Sequence, residues 1–262
     1  MMRPKNGCWL MLIAFLLLPN SVNGAMFTES GLMDIPTGGV LKHGIFGAGT
    51  SLAFENSQAE NARWTHENAL RLNAGLFDRL EIGLSHQSEA IGVLAHLKAQ
   101  LLKESGGIPS VALGVENLLA EETDFSQTAR SEFLVISKTF NLPKIHLISA
   151  HIGIGRGRFV SEERGIAPFV GINTEFHPAL ARGDIALSLE FDGSGVNAGI
   201  RHTATSGLQV ALGVETLNNP EETRYLVAIS WSNAQIMEQI AAAKRLAKQA
   251  ALVRATQSAS DN

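Results

Sequence analysis

The chain has 262 residues, enough for one large β domain or two small ones. Its net charge of −4 and isoelectric point near 6.1 exclude the basic stripe that a nucleic-acid-binding surface needs. Glycine is abundant, at 25 residues, and charged residues make up only 18%, which suits many strands joined by tight turns.

Residues 1–24 read as a signal peptide. Arg3 and Lys5 precede the apolar run Trp9 to Leu18, and Pro19-Asn20 breaks it. A run of about ten residues is too short to span a bilayer as a helix. Val22-Asn23-Gly24 ahead of Ala25 forms a small-residue cleavage site. Cys8 lies within this segment, so the processed chain has no cysteine and depends on its sheet or core for stability. Residues 25–43, rich in turn-prone clusters, read as an irregular periplasmic lead-in.

From residue 44 the chain alternates apolar and polar residues with period two, the signature of strands with two unlike faces. The first strand is predicted over 44–54, followed by a polar loop over 55–67. Leu70, Leu72 and Ala74 form the next run, and Phe77-Asp78-Arg79 makes a tight turn into Leu80, Ile82 and Leu84. A strand over 90–102 follows, with Leu94 as its exception to alternation, and then Val111, Leu113 and Val115. The strand over 130–140 is apolar on both sides around Phe133 to Ile136, which leaves its facing open. Strands over 145–155 and 166–176 flank a charged loop, 156–165. Four clear alternations close the series. They run from Ile185, from Val196, from Leu208, and through Tyr225, Val227, Ile229 and Trp231. The total is about twelve.

Two regularities suggest what this sheet is. The connections at 55–67, 120–129, 156–165 and 218–223 fall at one end, and the tight ones at 77–79, 141–144 and 204–207 at the other. Outer-membrane barrels have longer extracellular loops and short periplasmic turns. The polar face carries Arg71, Glu81, Lys98, Glu116, Glu175, Glu190, Arg201 and Glu215 among Gly and Ala. In a soluble sandwich with its apolar face inward, those glycines would sit in solvent-exposed strands, where they weaken pairing and pack nothing. In a narrow lumen, small residues make room and opposite charges pair. The expected fold is therefore all-β: a closed antiparallel up-and-down transmembrane barrel over 44–231, its eight charged residues lining the lumen. Tyr225, Val227, Ile229 and Trp231 mark the barrel-closing strand. An even strand count leaves both chain ends periplasmic.

Residues 232–262 change character. Ser232-x-x-Gln235 has the pattern of a capping box. Ile236, Ile240, Ala243, Ala247 and Ala250 recur at helical spacing, and Lys244, Arg245, Lys248 and Arg254 make the segment basic. An amphipathic periplasmic helix is predicted.

Three stretches resemble the YjbH-type barrel family, outer-membrane proteins associated with exopolysaccharide production. They are Gly31-Leu32-Met33-Asp34-Ile35-Pro36-Thr37 with Leu41-x-x-Gly44, then Leu80-Glu81-Ile82-Gly83, then Phe191-Asp192-Gly193 with Val196-Asn197-Ala198-Gly199-Ile200-Arg201. The resemblance implies a structural or accessory envelope role in polysaccharide production or export. It implies outer-membrane lipid, polysaccharide export components and the barrel-assembly machinery as partners, and it supplies no catalytic residues.

No cofactor, metal or enzymatic activity is expected. His66, His96, His146, His151, His177 and His202 are scattered without close ligand spacing, although His96 and His151 fall on the lumen face. The pair His86-x-Ser88 is the one nucleophile-and-base candidate, for a barrel lipid hydrolase. A small channel for polar solutes is the other alternative, and it requires an open lumen.

Overall fold

The computed structural model describes residues 30–57, 63–87, 93–120, 130–142, 147–160, 165–178, 182–221 and 223–260. The expected signal peptide, residues 1–24, lies outside them. Twelve strands form: β1 Phe46–Ser57, β2 Arg63–Leu76, β3 Leu80–Gln87, β4 Leu94–Leu102, β5 Ser110–Glu116 and β6 Ser131–Asn141. The second half comprises β7 Leu147–Gly155, β8 Ala167–Phe176, β9 Gly183–Phe191, β10 Val196–Ala204, β11 Leu208–Glu215 and β12 Arg224–Ser232. Each pairs antiparallel with its sequence neighbours, and β1 pairs with β12, from Gly47↔Ser232 to Glu55↔Arg224, which closes the barrel. Closure leaves no free edge, so the ladder takes up the backbone donors and acceptors all round.

Period-two alternation then sorts the described strand side chains, apart from a register shift at Gln100–Leu102 in β4. Leu72, Leu84, Ile152, Ile172, Leu212 and Ile229 point outward and are 48%, 49%, 57%, 50%, 51% and 50% exposed. Asn73, Ser85, His151, Glu190 and Asn197 point inward and are buried. Phe133 and Val135 turn out to face inward, while Leu134 and Ile136 face outward, which resolves the two-sided run in β6. Leu94, the exception to alternation, is a lumen residue.

Of the polar loop expected over 55–67, residues 55–57 and 63–67 are strand, and 58–62 lie outside the described residues. The β1–β2 register runs unbroken out to Ser57↔Arg63, because ladder bonds depend on backbone geometry and not on side-chain polarity. Strand β4 begins at Leu94, and residues 90–92 of the longer strand expected over 90–102 lie outside the described residues.

The largest departure concerns the lead-in. It was expected to lie outside the barrel, yet residues 31–41 fold up inside it. Gly31 bridges Pro36 and the Leu32 N–H donates to the Ile35 carbonyl, making a hairpin with Leu32–Ile35 at its tip. Leu32 and Ile35 pack with Ala112, Phe133, Val135, Phe159 and Phe169, and Met33 packs with Ala53 and Leu226. Four apolar side chains in an irregular segment needed cover, and the lumen supplies it. The wall makes room by omitting side chains. A Cβ on Gly171 would stand 2.6 Å from Ile35 Cδ1 and 2.8 Å from Leu32 Cδ1, and one on Gly75 would stand 2.2 Å from the Lys42 carbonyl.

Beyond β12 a helix, α1, spans Ala234–Ser260. The expected capping box does not form, because Ser232 is the last strand residue, buried, with its N–H on the Gly207 carbonyl. Asn233 links helix and barrel instead: its side chain accepts from the Phe46 N–H (2.9 Å) and donates to the Gly44 carbonyl (3.0 Å). Nor does the helix hide an apolar face, since Ile236, Ile240, Leu246 and Leu252 are all exposed. Among the described residues, no helix is long and apolar enough to cross a membrane.

The Gly171 contact yields a prediction. Gly171→Leu places a side chain where the hairpin tip sits, with an overpacking cost of about 1–3 kcal/mol. The N-terminal segment of the variant should be cut by protease faster than in the wild type, while the barrel keeps its compact gel migration.

Candidate functional site

The site is the lumen, built from inward-facing positions of nearly every strand and closed by the hairpin. Its centre is Arg158, carried by a single 3-10 turn, Gly157–Phe159, in the connection between β7 and β8. Residues 157–160 of this connection fold back into the barrel. Phe159 is fully buried and stacks on Phe169 at 4.8 Å, with Phe133 edge-on at 6.3 Å. That anchors Arg158 with its guanidinium 3.0 Å from Asp34 Oδ1 and 2.8 Å from the Asp34 carbonyl, while Nε donates to Glu116 Oε2 at 2.6 Å. A loop entering from one mouth thus grips a segment entering from the other.

The wall holds the rest of the hairpin. The Glu190 carboxylate accepts the Met33 N–H (3.2 Å) and the Asp34 N–H (2.6 Å). Glu81 accepts the Leu41 N–H at 3.0 Å. Lys98 Nζ donates to the Ser30 carbonyl and hydroxyl, both at 3.0 Å, and the Gln100 amide to the Gly38 carbonyl at 2.7 Å. Ser137 Oγ accepts the Gly38 N–H at 2.7 Å.

The eight lumen candidates thus divide. Glu81, Lys98 and Glu190 bond the hairpin, and Glu116 bonds Arg158. Glu215 lies 3.3 Å from Arg224 Nη1. Arg71 and Arg201 line a shared cavity with Gln209 and Ser230. Glu175 stays on the inward face of β8 but is exposed at the mouth. The expected Glu–Arg network exists, but its central cations are Arg158 and Arg224, and Glu67 joins it at 3.0 Å from Arg224 Nη2. Sequence reasoning missed these. Extending the parity of Ala69 and Arg71 back by two places Glu67 inward, and extending that of Leu226 places Arg224 inward. For Arg158, in a loop, alternation offers no signal.

Three cavities among the described lumen residues are small. One beside Arg71, His96 and Lys98 measures about 40 Å³, one beside Thr50 and Arg201 about 20 Å³, and one beside Leu32 and Asn173 about 10 Å³. A single water needs roughly 10–15 Å³, so each of these three spaces, among the described residues, is of the size of a few waters.

Two arrangements bear on catalysis. His151 Nδ1 lies 2.6 Å from Ser137 Oγ, and its Nε2 2.8 Å from Asn173 Oδ1. This is the connectivity of nucleophile, base and orienting group. Ser137 is buried beneath the hairpin and accepts the Gly38 N–H, so here the chain of bonds anchors the segment. His86 of the hydrolase candidate points outward beside Leu84, and Ser88 lies outside the described residues.

At the loop mouth, Asp192 caps its own turn. Its Oδ1 accepts the Ser194 and Gly195 N–H groups (2.7 and 2.8 Å) and its Oδ2 the Asn197 amide (2.8 Å). Burial pushes this carboxyl up, but the bonds from Gly195, Asn197 and Ser194 outweigh it and hold it below its ordinary 3.8.

Fold and site together define a β-barrel stoppered by its own N-terminal segment. The profile of the family described as exopolysaccharide biosynthesis protein YbjH (YjbH) matches residues 24–235. The chain belongs to this family. No curated protein matches it. Among solved structures it is similar to an outer membrane channel from Pseudomonas putida F1, at 13% identity over 76% of this chain and 99% of that one, TM-score 0.43. The KdgM porin in complex with disordered oligogalacturonate matches at 10% identity over 71% of this chain and 98% of that one, TM-score 0.45. The NanC porin matches at 9% over 71% and 98%, TM-score 0.40.

Two outcomes are expected. Glu190→Ala leaves two hairpin N–H groups unpaired and should weaken seating by about 1–3 kcal/mol. Hydrogen exchange at Met33 and Asp34 should speed up, and Glu190→Gln, which keeps an acceptor, should lose less. Asp192 ionises more readily folded than unfolded, so its contribution is full above 3.8 and disappears as pH falls through the lower folded value. Denaturant titrations in micelles from neutral to acid pH should show this loss, and Asp192→Asn should flatten it.

Proposed function

We propose that the chain is an outer-membrane barrel, held closed by residues 31–41, that serves surface-polysaccharide production or export as a structural or accessory component. The hairpin in the lumen carries this reading. The segment occupies the lumen and the described cavities beside it are water-sized, which favours an envelope role over free diffusion through it. Membrane placement is supported by the outward girdle of Leu, Ile and Val, since an apolar surface of that extent marks a lipid or protein contact. Closure meets the requirement that no backbone group face lipid unpaired. In this reading both chain ends emerge at the periplasmic mouth, where the turns at 77–79 and 205–207 lie. The polysaccharide role follows the description of the family. Outer-membrane lipid, the barrel-assembly machinery and polysaccharide export components are the partners this role needs.

A second reading is a gated channel for polar solutes. Its support is that the hairpin is held largely by polar bonds against a wall of Ser, Gly, Arg and Lys, which water could replace. Planar-bilayer recording separates the two. The wild type should be silent under both. Persistent silence of an Asp34→Ala/Glu190→Ala double variant supports the accessory reading, and steady conductance in that variant supports the channel. A conducting wild type would sink the closed-barrel reading, and a deletion strain with unaltered surface polysaccharide would sink the accessory role.

A further inference from the structure

We infer that Glu175, His177 and Asp184 form a binding site for a divalent transition-metal ion at the turn mouth of the barrel. The site is separate from the lumen cluster and independent of the function proposed above. Linear spacing does not reveal it, but strand register does. Strands β8 and β9 pair with Glu175 opposite Ala186 and Phe176 opposite Ile185. One step further, His177 stands opposite Asp184. Period two puts Glu175 and His177 on the same face, so one imidazole and two carboxylates converge at the end of a hairpin.

The geometry suits a metal. One ligand atom from each residue lies within 4.8 Å of the other two. Around an ion with bonds near 2.0–2.2 Å, tetrahedral ligand atoms stand about 3.3–3.6 Å apart. Glu175 and His177 are exposed at the rim and can close that difference by side-chain rotation. His177 Nδ1 and Asp184 Oδ1 are in hydrogen-bonding contact, so an ion would bind by taking the place of the proton they share or through the imidazole's other nitrogen.

The donor set selects the ion. Two carboxylates match the charge of a divalent cation with a neutral imidazole. One nitrogen among oxygens favours zinc-like ions over calcium or magnesium, which take oxygen ligands. Three protein ligands leave further coordination positions open to water or an incoming group. The Gln235 amide in the first turn of α1 lies 3.5 Å from the other Asp184 oxygen. An ion here would therefore tie the β8–β9 connection to the root of the helix.

The test is calorimetric titration of the tag-free chain, refolded in detergent micelles, with zinc chloride and separately with calcium chloride. One equivalent of zinc should bind and calcium should give no saturable heat. His177→Ala and Asp184→Asn should each lose the one-equivalent step while keeping heat-modifiable gel migration, which reports an intact barrel. Cobalt(II) should give a visible absorption band with the wild type that is missing from His177→Ala. No zinc binding by the wild type, or equal binding by wild type and His177→Ala, would overturn the assignment.

Discussion

A closed ring of strands has an interior, and that interior must be filled or flooded. In this chain alternation sends apolar side chains out and polar ones in, so the inner wall alone forms no hydrophobic core. The N-terminal hairpin solves this by bringing its own apolar tip. Leu32 and Ile35 join Phe133, Val135, Phe159 and Phe169 in an off-axis cluster, and Met33 makes a smaller one opposite. Charged groups around the tip then face backbone N–H groups and each other instead of empty lumen. Buried ions are tolerable only when paired and hydrogen-bonded; Glu116, Arg158 and Asp34 meet that condition, and Glu190 takes two hairpin N–H bonds.

The grip is two-sided. Polar bonds from β3, β4, β6 and β9 hold the hairpin from the wall, while Arg158 reaches it from the loop between β7 and β8. That loop is fixed by burial of Phe159, so a ring stack at one place determines where a guanidinium stands at another. Polar networks of this kind set register and position more than they add stability. The hairpin is therefore seated in one place, with Asp34 under Arg158.

The barrel itself was legible from the sequence. Strict alternation survives wherever one face meets lipid or solvent and the other a polar interior, and the turn at Phe77-Asp78 and the end of β12 at Trp231 were read from local chemistry. Trp231 does sit at the rim, its indole N–H on the Ser206 carbonyl and its ring against Phe46. The plug was not legible as a plug, because periodicity says nothing about an irregular segment. Its trace was there all the same. Leu32, Met33, Ile35 and Leu41 are too apolar for a solvated linker, and the inward glycines at 75 and 171 make little sense without something crossing them. Arg158 and the Glu175–His177–Asp184 grouping were hidden for a different reason: each depends on which residues the closed sheet and its loops bring together.

The seam between β1 and β12 has a consequence for the order of assembly. It pairs Gly47 with Ser232, ends of the barrel far apart along the chain, and such contacts carry the greatest loop-closure entropy. The hairpin directly precedes β1 and contacts the far wall at Glu190 of β9. The hairpin enters from the turn mouth immediately ahead of β1, so it can seat without displacing that strand. A segment tied so closely to the first strand is a cork on a short cord, held beside the mouth it closes while the costly seam forms.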